Sequence, residues 1–222
     1  MSSMYETIME LPLFKGIGTE QLSQMLEKTS MEFLKFNEGD IIEKIDIKVN
    51  AIDFILSGKV RQIHQLQNFK ISIEEILGEG NIIGGLNLFG MNTTHESTSV
   101  AEGKVGIMRL EKSQYMNVLQ SDRIYLLNFV NYLSAAAQKA PSMFLKTREN
   151  SIGRFLETMV YSLCSKRAEI VMLAGTDEEF ARLCGVSESD FISWKMSEQR
   201  YNRILLNERG LILKSPDLIN KE

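Results

Sequence analysis

The sequence has few of the residues that mark a secreted or membrane-spanning protein. Its 222 residues include two cysteines, Cys164 and Cys184, too few for a disulfide framework in a chain of this size. We interpret both as small buried hydrophobes rather than as a redox pair. The longest apolar runs, such as residues 124–130, are too short to span a bilayer. The first residues lack the basic start and apolar run of a secretory signal. We therefore expect a cytoplasmic protein without a membrane partner.

Positive charge is also scarce. The chain has 25 Lys and Arg against 29 Asp and Glu, for a net charge of −4. Residues 1–150 carry 15 basic and 18 acidic side chains, and residues 151–222 carry 10 and 11. This balance argues against strong non-specific binding to nucleic acid, without excluding specific binding. The sequence shows no nucleophile with a base and an orienting group, no metal-ligand spacing and no P-loop, so an enzyme is not predicted.

The residue composition and the periodicity of the sequence change near residue 110. From about Ser30 to Leu110, glycines separate short runs rich in β-branched residues, such as AIDFIL, KVRQIHQL and VGIMRL. Short strands with turn signals at this spacing are typical of an antiparallel β-roll, or double-stranded β-helix. After Glu111 glycine is rare and helical periodicity dominates. We therefore predict an α+β protein with the strands first and the helices later.

A long helix should follow the roll. Six residues with a 4-3-4-3-4 spacing would form one seam along it, namely Leu126, Val130, Leu133, Ala137, Ala140 and Phe144. Such a seam packs either against a partner helix, as in a dimer, or against its own domain. Pro141 removes a backbone donor and disfavours helix at the preceding residue, so we expect a kink or break there.

The C-terminal third predicts two helices around a tight turn. An amphipathic helix over residues 152–163 and a short strand, EIVML, precede them. Thr176 and Glu179 have the spacing of a capping box, and Ser187 can cap the second helix. Gly185 suits the turn between them, small Ala181 allows the helices to approach, and Phe180, Val186, Phe191 and Trp194 would share a core. The stretch from Asp177 to Met196 therefore has the spacing of a helix-turn-helix.

The order of these segments resembles the catabolite-activator/FNR family of bacterial transcription regulators. The resemblance rests on four short anchors in the family's order: NEGDI from Asn37, FILSGKV from Phe54, GNIIG from Gly80 with Leu88 and Phe89, and the helix-turn-helix closing at Gly210 to Ile212. It implies a cyclic-nucleotide-binding-like effector roll over residues 1–120, a dimerisation helix over 121–150 and a winged helix-turn-helix over 151–222. It also implies a homodimer that binds double-stranded DNA, with RNA polymerase as a further partner that the resemblance allows.

The family's nucleotide pocket is altered here. The family places a glutamate for the ribose after the glycine of the phosphate loop and an arginine for the phosphate shortly afterwards, whereas this chain has Gly85 and His95, or Glu96 with a one-residue shift. A carboxylate would repel a phosphate, so cyclic AMP is disfavoured. The roll has no cysteine for an iron-sulfur cluster, and haem would need His64 or His95 as a ligand. No cofactor is predicted. An unidentified effector would bind near Gly84, Gly85, Leu86, His95 and Ser97.

The second helix of the helix-turn-helix also departs from the family. Where known members present arginine and glutamate to base edges, this chain has Glu188, Ser189 and Ser193. The segment from Ser187 to Gly210 is longer than usual, and the chain after Gly210 looks short for a wing. Candidate DNA contacts are Ser187, Ser189, Ser193, Lys195, Arg200, Arg203 and Lys214. We predict a homodimeric DNA-binding regulator; the alternative is a sensor or interaction module of the same fold that no longer binds specific DNA.

Overall fold

A computed structural model describes residues 4–146, 152–165, 168, 170–201 and 204–213; the side chains of residues 139–146 and 213 are not described. The chain divides into two compact units. Unit 1 comprises residues 1–60 and 78–138, and unit 2 comprises residues 61–77 and 139–222. Residues 61–77 lie within the segment that we predicted as the N-terminal roll, and they group with residues 139–222 in unit 2.

Strands fill the first half of the chain and helices dominate the second, as predicted. The helices are α1 (Met4–Glu10), α2 (Thr19–Lys28), α3 (Lys112–Ser121), α4 (Arg123–Lys146), α5 (Ile152–Leu163), α6 (Asp177–Cys184) and α7 (Glu188–Arg200), with a 3-10 turn at Pro12–Phe14. The strands are β1 (Glu32–Phe36), β2 (Ile41–Glu43), β3 (Ala51–Gln65), β4 (Ser72–Leu77), β5 (Ile82–Ile83), β6 (Thr98–Glu111), β7 (Ile170–Ala174), β8 (Ile204–Asn207) and β9 (Gly210–Leu213).

Unit 1 is an antiparallel roll closed by helices. Strand β6 pairs with β1 and β2, and β3 lies beside β6 and pairs with the short β5. The apolar faces of these strands and of the helices bury one core, whose largest members include Phe14, Leu22, Ile52, Phe54 and Tyr115. Burial of this apolar surface stabilises the roll, because the alternating strand residues place one face inside.

Helix α4 contributes one face to this core. Tyr125 and Phe129 are buried, and Phe14 packs edge-on against Tyr125 with ring centroids 5.7 Å apart. The helix is one element from Arg123 to Lys146, so the break that we expected at Pro141 is absent. A helix of six turns can continue past one missing backbone donor when its other hydrogen bonds remain.

Unit 2 contains further antiparallel strands. Strand β7 pairs with β4 on one side and with β9 on the other, and β9 pairs with β8. Its core includes Ile71, Ile73, Val160, Val171, Leu173, Phe180, Phe191 and Leu211. The hairpin of β8 and β9 uses residues 204–213, so it begins earlier than the sequence suggested. Helix α7 ends at Arg200, so part of the long segment from Ser187 to Gly210 is strand β8.

Candidate functional site

The loop after β5 carries the two glycines of the predicted effector pocket. Gly84 has φ +77°, and a Cβ placed there would lie 3.1 Å from Ala51 O and 3.4 Å from His95 Cε1. A Cβ at Gly85 would lie 2.9 Å from Ile82 Cγ2 and 3.1 Å from the hydroxyl oxygen of Tyr132. The aromatic ring from α4 therefore occupies the space beside Gly85, at the position where the family pattern would place a glutamate side chain.

Tyr132 belongs to an aromatic cluster. Its ring stacks on Phe129, and Phe129 meets Phe89 and Tyr115 edge-on, with centroids 5.7 and 5.4 Å away. Burial raises the pKa values of Tyr115, Tyr125 and Tyr132, that of Tyr125 to about 12. The phenols are therefore neutral at physiological pH. Aromatic side chains, rather than charged ones, cover this side of the loop.

His95 is committed to an ionic cluster inside unit 1. Its Nε2 lies 3.1 Å from Glu43 Oε2, and Glu43 is also paired with the guanidinium of Arg109. The same guanidinium donates to both oxygens of Asp53, at 2.7 Å from Nε and 2.6 Å from Nη2. His95 and Asp53 are buried and the other two are largely shielded. Because two acids surround its only arginine, this cluster does not present a free cation to a phosphate.

The charge states within this cluster follow from its contacts. Burial would raise the pKa of Glu43, but its hydrogen bond with His95 and the charge of Arg109 hold that pKa below its ordinary value. Burial raises the pKa of Asp53 against the opposing effect of Arg109. The hydrogen bond from Arg109 to Asp53 in turn raises the arginine pKa. The cluster is thus a satisfied network that joins β2, β3, β6 and the loop before β6.

The remaining predicted effector residues differ in exposure. Leu86 is 48% exposed, whereas Ser97 is buried. The side chain of Glu96, the alternative position for the phosphate contact, accepts from the amides of Asn87 and Asn92. In the part of the chain that the structure describes, no group of three or more His, Cys, Asp or Glu residues is placed to hold a metal ion.

The predicted seam of α4 lies on the surface of unit 1. Leu126 and Val130 are nearly half exposed, Leu133 is half-buried and Ala137 is exposed. The first three line an apolar groove of about 560 Å³ together with Phe89, Met116, Leu119, Gln120, Asp122, Arg123 and Phe129. The structure does not describe the side chains of the other two seam positions, Ala140 and Phe144. The helix thus packs on its own domain through one face and leaves the seam uncovered.

Helices α6 and α7 pack as the sequence predicts. Thr176 Oγ1 accepts from the backbone N of Glu179, and Ser187 Oγ accepts from that of Asp190, so both helices have capped N-termini. Gly185 ends α6 with φ +68°, in the left-handed region that favours glycine. The rings of Phe180 and Phe191 stack at 5.5 Å, which fixes one helix against the other.

Glu179, the second residue of the predicted capping box, has hydrogen-bond partners outside that box. The carboxylate of Glu179 accepts from Arg182, at 2.8 Å, and from the backbone N of Lys70, at 3.4 Å. The glutamate therefore links α6 to the loop between β3 and β4, a connection that a local sequence pattern does not contain.

The predicted DNA contacts have different surroundings. Ser187 Oγ donates to Asp190 and lies 2.9 Å from Ser189 Oγ, so the hydroxyls of the first turn are linked. Lys195 is paired with Asp177 and is only 18% exposed. Ser193 and Arg200 are exposed. Arg203 and Lys214 lie outside the described residues.

Two buried acids of β4 were missed in the sequence. Glu74 is 4% exposed and accepts from Arg61 and from Arg209. Glu75 is 2% exposed; it lies 3.1 Å from His64 Nε2 and accepts from the backbone N of Ser165 at 2.7 Å. The adjacent acids in the run ISIEEIL were a possible signal, because buried carboxylates need partners, but the partners lie far away in the sequence.

Comparisons with known proteins agree with this architecture. Residues 33–122 match the cyclic nucleotide-binding domain family. The structure is similar to the catabolite activator protein of Thermus thermophilus, with 18% identity, 94% of this chain and 95% of that chain covered, and a TM-score of 0.53. It is also similar to the sensor domain of the transcriptional regulator DNR from Pseudomonas aeruginosa, with 20% identity, 65% and 99% covered, and a TM-score of 0.50. A comparison with curated proteins finds no significant relative.

The family match and the structural similarity both indicate a regulatory fold. Within the described residues, no helix has the combination of length and apolar character that crossing a membrane requires. Residues 33–122 thus match the cyclic nucleotide-binding domain family, in a chain whose fold is similar to those of the catabolite activator protein and the DNR sensor domain.

Proposed function

We propose that the protein is a homodimeric, DNA-binding transcription regulator whose effector is not a cyclic nucleotide. The observation that carries this proposal is an exposed stripe on α7. Ser189, Ser193, Met196 and Arg200 are all exposed, and their spacing places them on one face of the helix. Phe191 is buried on the other side. A helix held by its buried face, with hydroxyls and a guanidinium along its free face, is suited to a DNA major groove.

The turn before α7 supports the same function. The left-handed conformation of Gly185 and the stacking of Phe180 on Phe191 support the interpretation of α6 and α7 as a helix-turn-helix. Because two N-terminal caps fix the helix ends, the position of the exposed stripe is defined before any DNA is bound. The transcription regulators among the structural neighbours are in keeping with this assignment.

The groove beside α4 supports the homodimer. Leu126 and Val130 are exposed apolar residues one turn apart, and their groove has an almost entirely apolar lining. A second copy of α4 would cover it with matching residues, as a twofold-symmetric interface requires. Dimerisation would pair two α7 helices, so that each could enter one half-site on the DNA.

The environment of Gly85 and His95 supports an effector other than a cyclic nucleotide. A ribose-binding glutamate has no room at Gly85, because Tyr132 and Ile82 occupy its surroundings. His95 is paired with Glu43, and a cyclic phosphate approaching this pair would meet a carboxylate. If an effector binds unit 1, it must therefore use contacts other than the glutamate and arginine of the family's nucleotide pocket.

Selection of bound fragments from genomic DNA at near-physiological salt tests the main proposal. We expect enrichment of a palindromic site, and weaker binding to it by Arg200→Ala, since Arg200 is exposed in the last turn of α7. Lys35→Ala serves as a control, because Lys35 is also exposed but lies on β1 of unit 1. The absence of any enriched site, with only weak salt-dependent retention, would refute sequence-specific binding.

A second function is favoured by the acidic start of α7. Glu188 and Asp190 are exposed in its first turn, and Lys195 is already paired with Asp177. These features suit a sensor or interaction module that retains the fold without binding specific DNA, because acids near the backbone repel phosphates. The same selection distinguishes the two functions: this module would give no enriched site, yet remain folded and dimeric.

A further inference from the structure

The end of β3 and strand β4 form a hairpin over residues 61–77, and this hairpin belongs to unit 2. Strand β4 pairs with β7 over five residue pairs, from Ser72 opposite Ala174 to Ile76 opposite Ile170. The connecting turn contacts α6, because Arg182 donates to Asn68 O at 2.9 Å and its guanidinium lies 4.9 Å from the ring centroid of Phe69. A segment from the first half of the chain is therefore part of the unit that contains α7.

Glu74 connects this hairpin to the turn between β8 and β9. Its Oε1 accepts from Arg209 Nη2 at 2.5 Å, and its Oε2 accepts from Arg61 Nη1 at 3.3 Å. The carboxylate is 4% exposed, whereas the side chain of Arg209 is 55% exposed. One edge of the Arg209 guanidinium is thus anchored on a buried charge while much of the side chain faces solvent.

The exposed side of Arg209 is suited to bind an anion. Its side chain is 55% exposed, against 27% for Arg61, which shares the carboxylate of Glu74. An arginine has five donors in a planar fork, so it can hold a carboxylate with one edge and a phosphate with another. Arg209 lies in a tight turn, where Asn207 Oδ1 accepts from the backbone N of both Arg209 and Gly210.

We propose that Glu74 is a positioning residue that orients Arg209 to contact a DNA phosphate. This inference rests on the proposed function, because it assigns a further contact to the same DNA-binding unit. Glu74 does not touch the DNA itself. It restrains the long Arg209 side chain before binding, so that less side-chain freedom is lost in the complex.

Duplex binding by four variants tests this assignment. The probe is a labelled duplex of mixed sequence, since a phosphate contact does not depend on base sequence. Arg209→Ala should lower the magnitude of the salt slope by about 0.9 for each subunit bound. Glu74→Gln should weaken binding about 2-fold to 10-fold per subunit, the effect of ordering one long side chain, and should have no further effect in the Arg209→Ala background. Glu75→Gln should bind like the wild type, because Glu75 is equally buried on β4 but contacts His64 and Ser165.

Either of two binding results for Glu74→Gln would overturn the assignment. Tighter binding by Glu74→Gln would mean that Glu74 masks Arg209, and equal weakening with and without Arg209 would mean a general structural role. Measurement at about 0.15 M ionic strength, where the Debye length is about 8 Å, limits the effect of the removed charge itself. If Glu74→Gln does not fold, Glu74→Asp keeps the charge and shortens the side chain; it should also weaken binding, and wild-type affinity would overturn the assignment.

A measurement without DNA separates this inference from the proposed function. In the free protein, the Nε–Hε NMR signal of Arg209 should show restricted motion that is lost in Glu74→Gln and retained in Glu75→Gln. An Arg209 signal that is equally mobile in the wild type and in Glu74→Gln would overturn the positioning role even if DNA binds. If the wild type binds no duplex at any salt, the proposed function and the phosphate contact both fail, while a restrained Arg209 would still support its orientation by Glu74.

Discussion

A single methyl group at Gly85 tests how the loop after β5 is packed. In Gly85→Ala, the new Cβ would lie 2.9 Å from Ile82 Cγ2 and 3.1 Å from the Tyr132 hydroxyl oxygen. The first distance requires a neighbouring group to move. Because Tyr132 is half-buried against the core that contains Phe129, relief requires its ring or the loop to shift. Overpacking of this kind destabilises a domain by about 1–3 kcal/mol.

Thermal unfolding measures this effect. A loss of about 1–3 kcal/mol should lower the Tm by roughly 2–4 °C per kcal/mol in a chain of this size. The matched control is Gly153→Ala, on α5, where the nearest atom to a new Cβ is Trp194 Nε1 at an ordinary 3.4 Å. Alanine there should raise stability by up to about 1 kcal/mol through its better helix propensity. A Tm for Gly85→Ala equal to that of the wild type would refute the claim that this site is filled.

Three further changes probe other parts of the molecule. Leu126→Asp should convert the proposed dimer to a folded monomer in light scattering, whereas Leu127→Asp should not, since Leu127 is 58% exposed but does not line the groove. The folded pKa of Glu43 lies below its ordinary 4.5. Its stabilising effect is therefore present above that pH and is lost as the pH falls through the folded pKa. Glu43→Gln should unfold at a lower temperature than the wild type at pH 7, and its Tm should fall less steeply as the pH is lowered. Burial raises the pKa of Cys184 to about 11, so a thiol reagent at pH 8 should modify Cys184 much more slowly in the native protein than in denaturant, and equal rates would contradict that burial.

Local patterns in the sequence were sufficient to predict several elements of both units. The strands of the roll, the amphipathic helix α5, the caps at Thr176 and Ser187 and the turn at Gly185 all follow from residues near one another in the chain. These features depend on hydrogen bonds and side-chain periods within a few residues, which a sequence displays directly. The same patterns identified the residues of the α4 seam that remain exposed.

Contacts between distant residues could not be predicted in this way. The pairing of β4 with β7 joins residues about a hundred positions apart, and β4 looks like any other strand of the roll in its sequence. The contact of Tyr132 with Gly85 and the pairing of Arg209 with Glu74 have the same character. For these reasons sequence patterns did not reveal the pairing of residues 72–76 with β7 or a role for Glu74.

The pairings also change what the low net charge means for DNA binding. Residues 151–222 carry slightly more acids than bases, yet several acids in unit 2 are committed to specific cations, including Asp177 to Lys195 and Glu74 to Arg209. The pairing with Asp177 occupies the charge of Lys195, whereas Arg209 keeps exposed donors beyond its pairing with the buried carboxylate of Glu74. Since few cations face solvent along α7, we infer that base contacts and the pairing of two half-sites must supply much of the affinity, with only a modest dependence on salt.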